Sequence, residues 1–173
     1  MEKRDLRRAI SAFGLAAVSL ALAGCGNSGG GAAGNATQAS VPPTPAPTLT
    51  DAQKKALVAE LPAAYQAADL SNGEAKFALC RSCHTTSPGG DDMTGPNLWG
   101  VFGRKAGSKA SFTYSDDLKN AGWTWDADRI NTWITNPRAV LPGTKMTFIG
   151  LQDPNDRRDV IAFLKTQTSP APK

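Results

Sequence analysis

The chain of 173 residues is poor in the side chains that build metal clusters, with a single histidine, His84, and only three cysteines. A structural zinc site needs four ligands, and Cys25 lies in what reads as an export segment, so that chemistry is excluded. Nothing before Cys80 reads as a buried strand, which removes the βαβ setting of a thioredoxin-like redox pair, and no alternating strand of useful length occurs elsewhere. No basic patch interleaved with aromatics occurs, so nothing points to nucleic acid. No apolar run reaches the roughly 20 residues that cross a bilayer.

The positive start (Lys3, Arg4, Arg7, Arg8) followed by the short apolar run 10–23 reads as a secretory signal. Two cuts compete at its end. Leu22-Ala23-Gly24-Cys25 resembles the bacterial lipoprotein box, in which the cysteine is diacylated, while Ala21-Leu22-Ala23 is an A-x-A site that would release a soluble protein. The lipoprotein is the expectation, because a cysteine leading into a flexible tether suits an anchor. Removing 1–24 takes four of the 19 basic residues and two of the 15 acidic ones, leaving about +2. The sequence pI of about 9.1 is therefore partly the signal's charge. Residues 25–50 are a tether, Gly- and Ala-rich and then stiffened by Pro42, Pro43, Pro45 and Pro47. As a flexible chain it would reach about 25–30 Å.

Residues 51–70 are Ala-rich and helical in pattern, interrupted at Pro62. Their apolar face is thin, so a weakly packed stalk or accessory helix is expected. The folded unit is placed at 71–168, with a disordered tail over 169–173. Within it, 73–81 reads as a helix and 88–107 as a Gly- and Pro-rich loop. A short helix is expected over 116–121. Asp126 caps a helix whose Ile130, Trp133 and Ile134 share a face. Asp153-Pro154 opens the last helix, with Val160, Ile161, Phe163 and Leu164 facing inward. The class is all-α. Three modest helices in about 100 residues give a thin core, which a large apolar prosthetic group would complete.

The most informative stretch is Cys80-Arg81-Ser82-Cys83-His84. Thiols at that spacing can each add to a vinyl group of one haem, and the adjacent histidine then lies under the iron. Two plain buried cysteines are the competing reading of the pentapeptide alone.

The longer blocks resemble the class I cytochromes c, above all the mitochondrial and α-proteobacterial carriers, over about residues 73–166. CRSCH is followed in order by GPNLWGVFGRKAG from Gly95, FTYSDDLKNAGWTW from Phe112, NPRAVLPGTKMTF from Asn136 and DRRDVIAFLK from Asp156. The resemblance implies a small cytochrome c fold: three main helices and loops around one covalent haem c on Cys80 and Cys83. Its iron would lie between His84 and Met146, the methionine that follows the Pro142-Gly143-Thr144-Lys145 turn. The Pro96 carbonyl is implied as the acceptor of His84 Nδ1–H, and Arg104, Tyr114, Trp125 and Thr144 as donors to the haem propionates. Gly107 and Gly143 serve loop geometry.

Departures from the family's pattern are chain-specific. Leu118 stands where an asparagine is usual, and Trp133 where a tyrosine hydrogen-bonds the methionine sulfur. Of the lysine ring that docks many soluble members, Lys145 and Arg138 match, whereas Leu79, Met93 and Gln152 do not. The resemblance implies a monomeric one-electron carrier between a quinol-oxidising bc-type complex and a terminal oxidase. Lipidated Cys25 would hold it to the periplasmic side of a bacterial membrane; cleavage at the A-x-A site would instead leave it soluble in the periplasm. The alternatives are a haem-bearing subunit of a larger membrane redox complex and a haem peroxidase-type enzyme, which would need an exchangeable ligand in place of Met146.

Overall fold

The computed structural model describes residues 48–172. The signal expected over 1–24, Cys25, and the tether up to residue 47 lie outside the described residues, as does Lys173.

Helices α3 (Leu70–Arg81) and α7 (Pro154–Thr168) form the most extensive pairing among the described elements. Gly73 permits it. A Cβ there would stand 2.2 Å from the Asp159 carbonyl oxygen and 2.8 Å from Phe163 Cβ, so any side chain would push the helices apart. Below the crossing, the rings of Phe77 and Phe163 meet at 5.5 Å in a tilted pair. Asp159 is buried in this contact, where an unpaired carboxylate would be very costly. It accepts from Asp69 N at 3.0 Å, from Asn72 Nδ2 at 2.8 Å and from Arg158 Nε at 2.8 Å, which resolves the problem. Asp69 also caps α3 through Ser71 N and Asn72 N, so that helix starts three residues earlier than the expected 73.

Helices α1 (Asp51–Ala59) and α2 (Ala63–Gln66) are cut apart at Pro62, as the sequence indicates. Thr50 and Gln53 close a capping box at the start of α1. The expectation of a weakly packed stalk is corrected here. Leu57, Val58, Leu61 and Tyr65 are all buried, and both helices lie on α7. Two polar contacts lock the position: Tyr65 Oη donates to Asp128 Oδ1 at 2.8 Å, and Lys165 Nζ meets Glu60 Oε2 at 2.7 Å. The break at Pro62 lets Tyr65 leave the axis of α1 and join the same apolar layer.

Helices α4 (Asp116–Lys119), α5 (Ala127–Thr135) and α6 (Pro137–Val140) frame the remaining side. Each is capped by the residue before it, Ser115, Asp126 and Asn136 respectively. The inward stripe of α5 is the expected one, with Ile130, Trp133 and Ile134 buried, and Val160, Ile161, Phe163 and Leu164 of α7 are buried as well. The single turn of α6 was not legible as a helix. No strand occurs among the described residues; Lys105 and Thr124 form one isolated antiparallel bridge. At the far end, Gly100 N–H donates to the Thr168 carbonyl at 2.7 Å and holds the chain against the body. Ser169, expected in a disordered tail, is accordingly buried.

Candidate functional site

The C-terminal turn of α3 sets the two thiols. Cys83 N and His84 N both donate to the Cys80 carbonyl, at 3.1 and 3.0 Å, so the chain stays tightly wound past the end of the helix. Cys80 and Cys83 are both free thiols, and burial pushes the Cys80 thiol up to about 11, with the neighbouring Cys83 adding to the effect. Both line a cavity of about 350 Å³. His84, Pro96, Arg104, Tyr114, Trp125, Thr144 and Met146 line the same cavity, so every candidate within the described residues converges on one place.

The imidazole of His84 is held from behind. Its Nδ1 lies 2.7 Å from the Pro96 carbonyl oxygen, which can only accept, so Nδ1 carries the proton and the Nε2 lone pair is left to bind a metal. Burial lowers the His84 pKa while the Pro96 contact opposes that, and the balance favours the neutral ring. Gly95 allows the loop to pass this close, because a Cβ there would stand 2.2 Å from Cε1 of the ring.

Met146 is half-buried, at the end of the turn that follows α6. Trp133 Nε1–H donates to its Sδ at 3.2 Å, and its own N–H donates to Thr144 Oγ1 at 3.2 Å. Gly143 N–H donates to Asp117 Oδ2 at 2.9 Å, which ties the turn to α4. Gly107, at φ +66°, lies against α4 with room for no Cβ, 2.6 Å from Lys119 Cα. Both glycines therefore serve geometry.

Arg104 spends two donors on backbone, Nη1 on the Trp99 carbonyl at 3.3 Å and Nη2 on the Asn97 carbonyl at 3.1 Å. Tyr114 is buried and packs edge-on to Phe112 at 4.8 Å, and burial raises its pKa. Trp125 stands between Trp123 and Trp133, with centroids at 5.8 and 5.6 Å.

The donor set fits a covalently held haem. The cavity combines two free thiols, a neutral imidazole with an available nitrogen and a thioether sulfur, within walls formed by side chains such as Leu98, Val101, Ile130 and Leu164. Asn97 escaped the sequence reading. It is buried, donates from Nδ2 to Thr85 Oγ1 at 2.7 Å and to the Ser87 carbonyl at 3.0 Å, and thereby shapes the loop that carries Pro96. Its only signal was its place in GPNLW. Leu118 lines the cavity as an apolar wall, and Leu79, Met93 and Ile149 are large apolar side chains left exposed.

The family described as cytochrome c matches residues 70–168. A cytochrome c2 from Rhodomicrobium vannielii is 50% identical over 104 residues, covering 60% of this chain and 83% of that protein. A cytochrome c from Chlamydomonas reinhardtii is 43% identical over 104 residues, 60% of this chain and 93% of its own. Among solved structures, cytochrome cH from Methylobacterium extorquens is 42% identical, covers 57% of this chain and 98% of that one, and superposes with a TM-score of 0.53.

Proposed function

The chain belongs to the cytochrome c family, and from that premise we propose a membrane-tethered periplasmic carrier that takes electrons from a quinol-oxidising bc-type complex to a terminal oxidase. The coarser part of this reading needs no proposal: the protein is a single-haem electron carrier with one covalent haem c, and not an enzyme. Its cofactor supplies a one-electron iron couple.

The residues around it do the rest. In our reading Cys80 and Cys83 would hold the group as thioethers, and His84, oriented by Pro96, would offer Nε2 to its iron. Met146, held by Trp133 and by the turn pinned at Asp117, would offer its sulfur to the same iron. Ligation by both side chains would leave the iron to pass single electrons rather than to bind oxygen or a substrate. Arg104, Tyr114, Trp125 and Thr144 are the donors assigned to the propionates. The observation that carries this reading is the convergence of all nine candidates on one cavity.

The tether, the lipid on Cys25 and the partners are supported by sequence alone. Between residues 71 and 173 the chain carries 13 basic and 10 acidic residues, so electrostatic steering is weak, and a tether would compensate by raising effective concentration. The test is kinetic. Ferric holoprotein should be reduced by a purified bc-type complex supplied with quinol, and the ferrous form reoxidised by a terminal oxidase. A rate no faster than the uncatalysed background in either step would overturn the placement between those partners.

A further inference from the structure

The peptide unit joining Pro96 to Asn97 is hydrogen-bonded at both ends. Its carbonyl oxygen lies 2.7 Å from His84 Nδ1, and its N–H donates to Asp92 Oδ1 at 2.7 Å. One delocalised amide therefore links a carboxylate to the imidazole. The carboxylate is itself fixed. Lys109 Nζ stands 2.7 Å from Oδ1 and 2.8 Å from Oδ2, and Ser111 Oγ donates to Oδ2 at 2.7 Å. The Asp92 side chain is only 15% exposed. Burial pushes its carboxyl up, but the bonds from Lys109, from Asn97 N–H and from Ser111 more than offset this, so it is ionised at neutral pH.

We propose that Asp92 is a positioning residue for the iron-binding imidazole, acting through the Pro96–Asn97 peptide to set how strongly His84 donates. A carboxylate accepting from the amide N–H draws electron density toward the carbonyl oxygen, and hydrogen bonds in such chains reinforce one another. The stronger acceptor pulls on the Nδ1 proton, which makes Nε2 the better donor and favours the oxidised iron. Lys109 moderates the effect by sharing the carboxylate. A loop pin alone would not need the charge. Asn97 already holds the loop through Thr85, Ser87 and Trp99 N, and a neutral amide at position 92 could accept the same N–H. The inference rests on His84 being the iron's ligand.

The experiment uses the haem-loaded protein and two variants with opposite expected effects. In Asp92→Asn, the His84 Nδ1–H resonance of the ferrous form should move upfield, its exchange with solvent should quicken and the reduction potential should rise. In Lys109→Gln the carboxylate is released from its countercharge, so the resonance should move downfield and the potential should fall. Folded variants whose resonance stays at the native position overturn the proposal, even if the potential moves, since that would be charge acting through space. Should Asp92→Asn fail to fold, Lys109→Gln decides alone by the same resonance. A native ferrous protein whose His84 ring protons lack the large upfield shift of an imidazole under a haem would instead remove the ligation itself.

Discussion

Trp133 Nε1–H donates to Met146 Sδ across 3.2 Å, joining the buried face of α5 directly to the turn that carries the sulfur. An indole N–H can only donate, so this contact always withdraws density from the thioether. Trp125 packs edge-on against the same indole at 5.6 Å and limits its movement. Where the family pattern has a hydroxyl able to donate or accept, this chain has a fixed donor.

Replacing Trp133 with Phe should therefore leave Met146 in place and lower the reduction potential. A lost hydrogen bond of about 0.5–1.5 kcal/mol corresponds to a shift on the order of tens of millivolts for one electron. Voltammetry of the purified holoprotein measures it. An unchanged or raised potential would mean that the indole does not act on the sulfur.

Cys80→Ser combined with Cys83→Ser should abolish haem staining after denaturing electrophoresis, because no other thiol among the described residues lines the cavity. Staining that survives both changes refutes thioether attachment.

Met146→Ala should open one axial position, so that the ferrous protein binds carbon monoxide and the ferric protein azide, with a lower potential. The native protein should bind neither quickly at neutral pH. Rapid uptake of carbon monoxide by the native ferrous form would contradict the proposed ligation.

The all-α class and the cavity-lining residues were more legible in the sequence than the way the helices pack. CRSCH and the PGTKM turn are contiguous, and local chain geometry delivers their side chains, so reading along the chain finds them. Helix α5 was equally plain, since its stripe of Ile130, Trp133 and Ile134 repeats within one element. The α1–α2 packing was not, because it depends on bringing Val58, Leu61 and Tyr65 into one apolar cluster with α7, about 100 residues away. The Asp92–Lys109–Ser111 cluster and the role of Asn97 were hidden for the same reason: each joins loop residues whose approach no periodicity announces.

The buried position of Leu57, 3% exposed, carries a stability prediction. Leu57→Ala should destabilise the protein by roughly 2–5 kcal/mol, the usual range for a large-to-small change in a core. Denaturant unfolding of the holoprotein reads it, while the reduction potential should not move, since Leu57 does not line the cavity. A loss below about 0.5 kcal/mol would show that α1 is the loose stalk its sequence suggested.

Cys25→Ser should block acylation and lipoprotein processing, and shift the cytochrome to an uncleaved or soluble form with its spectrum unchanged. Several acyl chains at about 0.8 kcal/mol per buried methylene would make such an attachment stable. Mass spectrometry of the membrane fraction decides the matter. A mature N-terminus at Gly24 without lipid would select the A-x-A cut and a freely diffusing carrier.

The body of this protein is closed from its two ends. Glu60 meets Lys165 and Gly73 meets Asp159 and Phe163 of the last helix, while Tyr65 meets Asp128 of α5, so the first helices complete their contacts only after much later segments have been made. Contacts between residues so distant along the chain form late, because their loop-closure entropy must first be overcome. Cys80 lies between these ends in the last turn of α3, the helix that α7 will cover, and Cys83 lies just past it. Until α7 arrives, both sulfurs stay reachable, and the order in which the polypeptide emerges leaves an interval in which covalent attachment can precede closure.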